Sequence, residues 1–145
     1  MKINKLTSLA TAESCTGGAI ARKIVSKSGA SAYFKGGVVS YSNEAKGNIL
    51  GVDVALLKKH GAVSKEVVLA MAKSASKIFG ADYAVSTSGI AGPSGGTFTK
   101  PVGLVWIGVK TPKKVTAKKF FFKGTRAQVI RQATSKALEL LEEIS

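Results

Sequence analysis

Strand-like and helix-like segments alternate along this chain, and glycines mark many of their junctions. That alternation restricts it to layered α/β architectures. Lys5 to Thr11 alternates as a strand. Ala19 to Lys27 carries Ile20, Ile24 and Val25 on what the spacing predicts to be the buried side of a helix. Ala32 to Ser40 reads as a second strand, with Gly36-Gly37 marking a bulge or a close backbone approach. Glu44 to Leu50 and Asp53 to His60 read as short helices split by Gly51, the second closed by Gly61. Ser64 is placed to cap a long helix ending near Phe79, with Glu66 in its first turn and Gly80 after its end. Ala81 to Thr87, Val102 to Val109 and Val115 to Phe122 read as strands, the last two joined by the turn Thr111-Pro112-Lys113-Lys114. Thr125 and Gln128 form a capping box that opens a final helix, with Leu138, Leu141 and Ile144 on its apolar side. So short a turn makes one pair antiparallel. The expected fold is one domain over residues 1–145, three layers (α/β/α) around a mixed, mostly parallel sheet.

Composition narrows the partners. Hydrophobic residues make up 45% of the chain, enough to fill a core of this size. No apolar run approaches the roughly 18–20 residues that span a bilayer, and the N-terminus around Lys2, Asn4 and Lys5 is too polar for a secretory signal. A cytoplasmic protein with no membrane partner is expected. The single cysteine excludes an internal disulfide and a multi-cysteine metal site. The net charge of +14, from 22 Lys+Arg against 8 Asp+Glu, favours anionic partners. The basic residues are dispersed, with a denser stretch from Lys110 to Lys123, and they match no nucleic-acid reading motif. Nucleic acid therefore ranks last among the partners.

Three segments carry candidate chemistry. Ala12-Glu13-Ser14-Cys15-Thr16-Gly17-Gly18 sits where the first strand gives way to the first helix. Its glycines let a ligand approach the backbone, and helix-start N–H groups suit an anion or oxyanion. The same residue types also cap helices with no further duty. Ser40-Tyr41-Ser42-Asn43-Glu44-Ala45-Lys46 and the loop Ser88-Gly89-Ile90-Ala91-Gly92-Pro93-Ser94-Gly95-Gly96 are the others. A Ser-His-Asp triad would depend on His60, the sole histidine, whose place beside Gly61 suits a helix C-terminus. Zinc ligands, a Walker loop and a GxGxxG fingerprint are all missing from the sequence. What remains is serine with lysine. A lysine serves as base only where desolvation or a neighbouring cation lowers its pKa from about 10.4. Lys46 is the candidate, although a lysine in a short helix ordinarily faces water. Tyr41 either orients Lys46, hydrogen-bonds the serine, or sits half-buried at a sheet edge. Cys15 is a rival nucleophile without a histidine partner. Arg126, in the first turn of a helix whose dipole disfavours a cation, suggests an anionic neighbour, unless it is simply exposed.

Together the three segments, with Tyr33 to Val39, Gly61-Ala62-Val63-Ser64, Lys100-Pro101-Val102-Gly103 and Gly124-Thr125-Arg126, resemble the CinA C-terminal domain family, whose enzymes are nicotinamide-nucleotide amidases. The resemblance covers nearly the whole chain. It implies hydrolysis of the carboxamide of nicotinamide mononucleotide to nicotinate mononucleotide and ammonia, with no metal and no cofactor. It implies Ser14 as nucleophile, Lys46 as base and Tyr41 in support. Thr16, Gly17, Gly18, Ser88, Gly89, Gly92 and Arg126 would bind substrate, and helix-start and glycine N–H groups would hold the oxyanion and the phosphate. It also implies a homo-oligomer, a dimer.

Three departures stand out. Ser88 replaces the family's usual threonine, and Thr125 its usual aspartate. Only Met1 to Asn4 precede the first strand, where the family usually has a further helix, so exposed apolar surface or an altered dimer contact is expected there. The large domain of longer members is absent, which suggests a stand-alone form. Two other classes compete with the amidase: a nucleotide-binding module of the same fold that has lost turnover, and a basic nucleic-acid-associated protein.

Overall fold

The computed structural model describes residues 2–144; Met1 and Ser145, the ends of the expected domain, lie outside the described residues. Five strands form one sheet: β1 (Leu9–Glu13), β2 (Phe34–Val39), β3 (Tyr83–Gly89), β4 (Leu104–Lys110) and β5 (Val115–Phe121). Their spatial order is β2-β1-β3-β4-β5. β1 pairs in parallel with β2 and with β3, whereas β3–β4 and β4–β5 are antiparallel. Only β4 therefore runs against the rest, as the short Thr111–Lys114 turn requires.

The helices cover both faces. On one face α1 (Ala19–Val25) and α5 (Arg126–Ile144) bury Ile20, Ile24, Val129 and Leu141 against Leu9 and Ile107. On the other, α3 (Val54–His60) and α4 (Lys65–Phe79) bury Leu57, Val67 and Met71 against Ala10, Ala12 and Ala84. Each large aliphatic side chain so buried contributes roughly 1.5–3 kcal/mol. The caps follow the sequence reading. Ser64 accepts from Val67 N and opens α4, Gly80 closes it at φ 61°, and Thr125 and Gln128 cap α5 reciprocally.

Several expectations need adjustment. The first strand starts at Leu9, because Lys2–Lys5 forms a turn of 3-10 helix that buries Ile3 and Leu6 in the α5 face of the core. Val25 is 53% exposed, since it falls at the last residue of α1 and turns away from the sheet that holds Ile20 and Ile24. Gly36-Gly37 serves both predicted purposes. The register slips between Leu9 and Ala10, and a Cβ at Gly37 would run into Thr11 Oγ1. Gly108 is a second close approach: a Cβ there would lie 2.7 Å from the Val68 carbonyl, so glycine lets α4 seat directly on β4. Among the described residues no helix is long and apolar enough to cross a membrane.

Candidate active site

The carboxyl ends of the three parallel strands converge. Ser14 follows β1, Ser40 and Tyr41 follow β2, and Ser88-Gly89 close β3. Neighbours leave β1 to both sides, and open α/β sheets hold their ligands at such a point. A cavity of about 200 Å³ opens there, walled by Ser14, Tyr41, Asn43, Lys46, Val63 and Ser88, among others.

Lys46 is the unusual wall. It sits in α2 (Asn43–Asn48), a helix of 6 residues capped by Ser42, which accepts from Ala45 N at 3.0 Å. The side chain turns inward and is 1% exposed. Its Nζ lies 2.9 Å from Ser14 Oγ, 2.9 Å from the Ser40 carbonyl and 3.4 Å from the Tyr41 carbonyl. No carboxylate pairs with it among the described residues. Burial holds its pKa below the ordinary 10.5, with a smaller opposing influence from Cys15. As an ammonium, Nζ donates to all three oxygens. As a neutral amine it donates two N–H groups to the two carbonyls, and its lone pair is left facing the Ser14 hydroxyl.

The rival nucleophile is disarmed by its surroundings. Cys15 is buried, and desolvation pushes its thiol up to about 12, so it carries no thiolate near neutrality.

The turn before α1 already holds an anion, which is its own Glu13. That carboxylate is 1% exposed and accepts from Ile20 N at 2.9 Å, Ala21 N at 3.0 Å and Thr16 Oγ1 at 2.6 Å. Gly17 N and Ala19 N are also engaged, by the Ser14 and Thr16 carbonyls. Because Thr16 spends its proton on Glu13, its 2.9 Å contact with Thr87 Oγ1 runs from Thr87 to Thr16. The N–H groups of Gly17, Ala19, Ile20 and Ala21 are thus occupied within the turn itself. Thr16, Gly17 and Gly18 do not wall the cavity. They shape the turn, with Gly17 at φ 58° and Gly18 at φ 99°, values that favour glycine. Sequence reasoning gave Glu13 no role. An acid four residues before a glycine pair and a helix start was the available signal. Replacing Glu13 with alanine is expected to cost about 2–3 kcal/mol, because two backbone N–H groups and a threonine lose a charged acceptor. Chemical denaturation measures it; a loss below roughly 0.5 kcal/mol, the level of an ordinary surface change, would count against this role.

Tyr41 supports Lys46 with its carbonyl. Its ring is 59% exposed and its hydroxyl accepts from Arg126 Nη2 at 2.7 Å, so the phenol faces Arg126 instead of sitting half-buried at a sheet edge. Arg126 Nη1 donates to the Gly92 carbonyl at 2.6 Å. The sequence suggested an anion beside Arg126; its partners here are two neutral oxygens, which anchor it although Thr125 supplies no charge. Arg126 thereby ties the Tyr41 loop to the Gly92 loop. Ser14, Tyr41, Lys46, Ser88 and Gly89 meet at the cavity, while Gly92 and Arg126 join through this bridge.

Fold and site together define a three-layer α/β domain that presents a serine and a buried lysine at the carboxyl ends of its parallel strands. The family model of the CinA C-terminal domain matches residues 1–145, and the chain belongs to that family. It is 52% identical over 132 residues to the nicotinamide-nucleotide amidohydrolase PncC of Escherichia coli, covering 90% of this chain and 80% of that one. It is 51% identical over 138 residues to a CinA-like protein of Endomicrobium trichonymphae, covering 95% of this chain but only 32% of the relative. The chain spans about a third of the length of such longer relatives. The crystal structure of a competence damage-inducible protein A from Klebsiella pneumoniae superposes with a TM-score of 0.93 at 37% identity, covering 98% of this chain and 88% of that one.

Proposed function

We propose that this chain is an amidohydrolase that converts nicotinamide mononucleotide to nicotinate mononucleotide and ammonia. The observation that carries the reading is the 2.9 Å approach of Lys46 Nζ to Ser14 Oγ, with no carboxylate paired to the amine among the described residues. The printed name of the Escherichia coli relative supports the substrate class.

In this mechanism neutral Lys46 takes the Ser14 proton as Oγ attacks the carboxamide carbon. The resulting ammonium delivers that proton to the departing nitrogen, ammonia leaves, and an ester to Ser14 remains. Lys46, neutral again, deprotonates a water that attacks the ester. Lys46 returns that proton to Ser14 as the serine leaves, and the carboxylic acid product gives its own proton to solvent to become the carboxylate. Ser88 and the Gly89 loop, which line the same cavity, are the proposed contacts for the developing oxyanion.

The reading is tested by feeding the purified chain nicotinamide mononucleotide and measuring ammonia and nicotinate mononucleotide together. One-to-one formation of both is expected. Saturable binding with no ammonia would establish the inactive binding module instead.

A further inference from the structure

We propose that a second, cationic cavity beside the Ser14–Lys46 pocket is the subsite for the substrate's phosphate. The proposal rests on the amidase reading for the reacting end of the substrate, but its own basis is separate. The Ser14–Lys46 cavity, at about 200 Å³, falls below the roughly 300–1,000 Å³ of pockets that enclose drug-sized ligands. It suits the reacting ring and leaves the rest of a nucleotide outside. A cavity of about 360 Å³ lies across Val63, which belongs to both walls.

The charges of this second cavity are unspent. Lys65, Lys100 and Lys119 line it, and none forms an ion pair among the described residues. Its one acid, Glu66, pairs with His60 at 3.5 Å. Lys100 is held in place: Nζ donates to the His60 carbonyl at 2.5 Å and rests against Gly61, where a Cβ would come within 2.8 Å of it. Lys119 is fixed opposite Trp106 by the β4–β5 register, with Nζ 5.7 Å from the centre of the indole. From two segments unused by the serine–lysine chemistry, Val63 and Ser64 and then Lys100 line this second cavity. Three positioned lysines against one acid, beside an indole and sharing Val63 with the reacting pocket, fit the dianionic end of a nucleoside monophosphate.

The experiment compares nicotinamide mononucleotide with nicotinamide riboside, which lacks the phosphate, on wild type, Lys100→Met and a Lys65→Gln/Lys119→Gln double variant. Each variant is expected to lower the ratio of kcat/KM for mononucleotide to that for riboside about tenfold, mainly through KM, as loss of a charge-assisted hydrogen bond would. Equal losses on both substrates, or none on the mononucleotide, overturn the proposal and move the phosphate towards Arg126. The sole tryptophan, Trp106, gives a readout independent of turnover. Its fluorescence is expected to change saturably with nicotinate mononucleotide and with inorganic phosphate in wild type, about tenfold more weakly in the variants. If wild type releases no ammonia yet Trp106 reports this binding, the amidase reading fails and the anion site stands. If ammonia is released and Trp106 is silent to both probes, the site fails and the amidase stands.

Discussion

Replacing Ser14 with alanine is expected to lower ammonia release from nicotinamide mononucleotide by about 10,000-fold, since the acyl-enzyme route needs that oxygen and residual catalysis would come from binding alone. The fold should not suffer, because Ser14 N keeps its 3.1 Å bond to the Thr87 carbonyl and only Oγ is removed. Adding Lys46→Met to Ser14→Ala is expected to cost almost nothing more. A base with no nucleophile to serve has nothing left to contribute, so groups acting as a unit give strongly non-additive losses. Single-turnover ammonia measurements on both single variants and the double variant form the cycle. Losses that multiply would show that the two side chains act independently. A Ser14→Ala protein that keeps a tenth of its activity would remove Ser14 from the chemistry.

The second large effect concerns the proton on Lys46. Only the neutral amine can accept from Ser14, so kcat/KM should rise with pH and level off at a value below the ordinary lysine 10.5, as burial dictates. Lys46→Met should lower the rate about 100- to 10,000-fold and abolish that rise. Lys46→Arg should not rescue it, because a guanidinium keeps its proton throughout.

Stability carries the same signature. The folded chain holds Lys46 at a lowered pKa while the unfolded chain holds it at its ordinary one, so between those two values the unfolded state binds more protons. Stability contributed by this group therefore rises with pH across that window. Its cost is fully present below the folded value and vanishes above 10.5. Measured against Lys46→Met by denaturation at several pH values, wild type should gain ground as pH climbs. A constant difference, or activity that falls as the solution becomes more alkaline within that window, would sink the neutral-amine mechanism.

Local rules carried most of the fold. Ser64, Gly80 and the Thr125–Gln128 box bound their helices as their side-chain chemistry demands, because a cap involves residues only a few positions apart. The lone reversed strand, β4, was legible for the same reason: a four-residue turn leaves no room for a crossover. The misplacements are also physical. Val25 has the hydrophobicity of a core residue, but helical spacing does not say where α1 ends, and the last residue swung outward. Lys5 to Leu6 alternates like the strand that follows, yet Ile3 and Leu6 gain more by packing on α5.

Sequence by itself determined the alternating layers, the glycine positions where the backbone must turn or approach closely, and the short roster of Ser14, Tyr41 and Lys46 as candidates for the chemistry. Only the tertiary structure decided what each of them does. Composition argues that a lysine on a short helix faces water; the meeting of residues 32 apart turned Lys46 inward and set its amine on Ser14. Tyr41 took Arg126, 85 residues away, as its partner, and Glu13 claimed the helix start that looked free for a ligand. Caps and periodicity depend on neighbours along the chain, whereas desolvation and hydrogen-bond choice depend on what the folded layers bring from far away, and those bias the protonation of a buried amine such as Lys46.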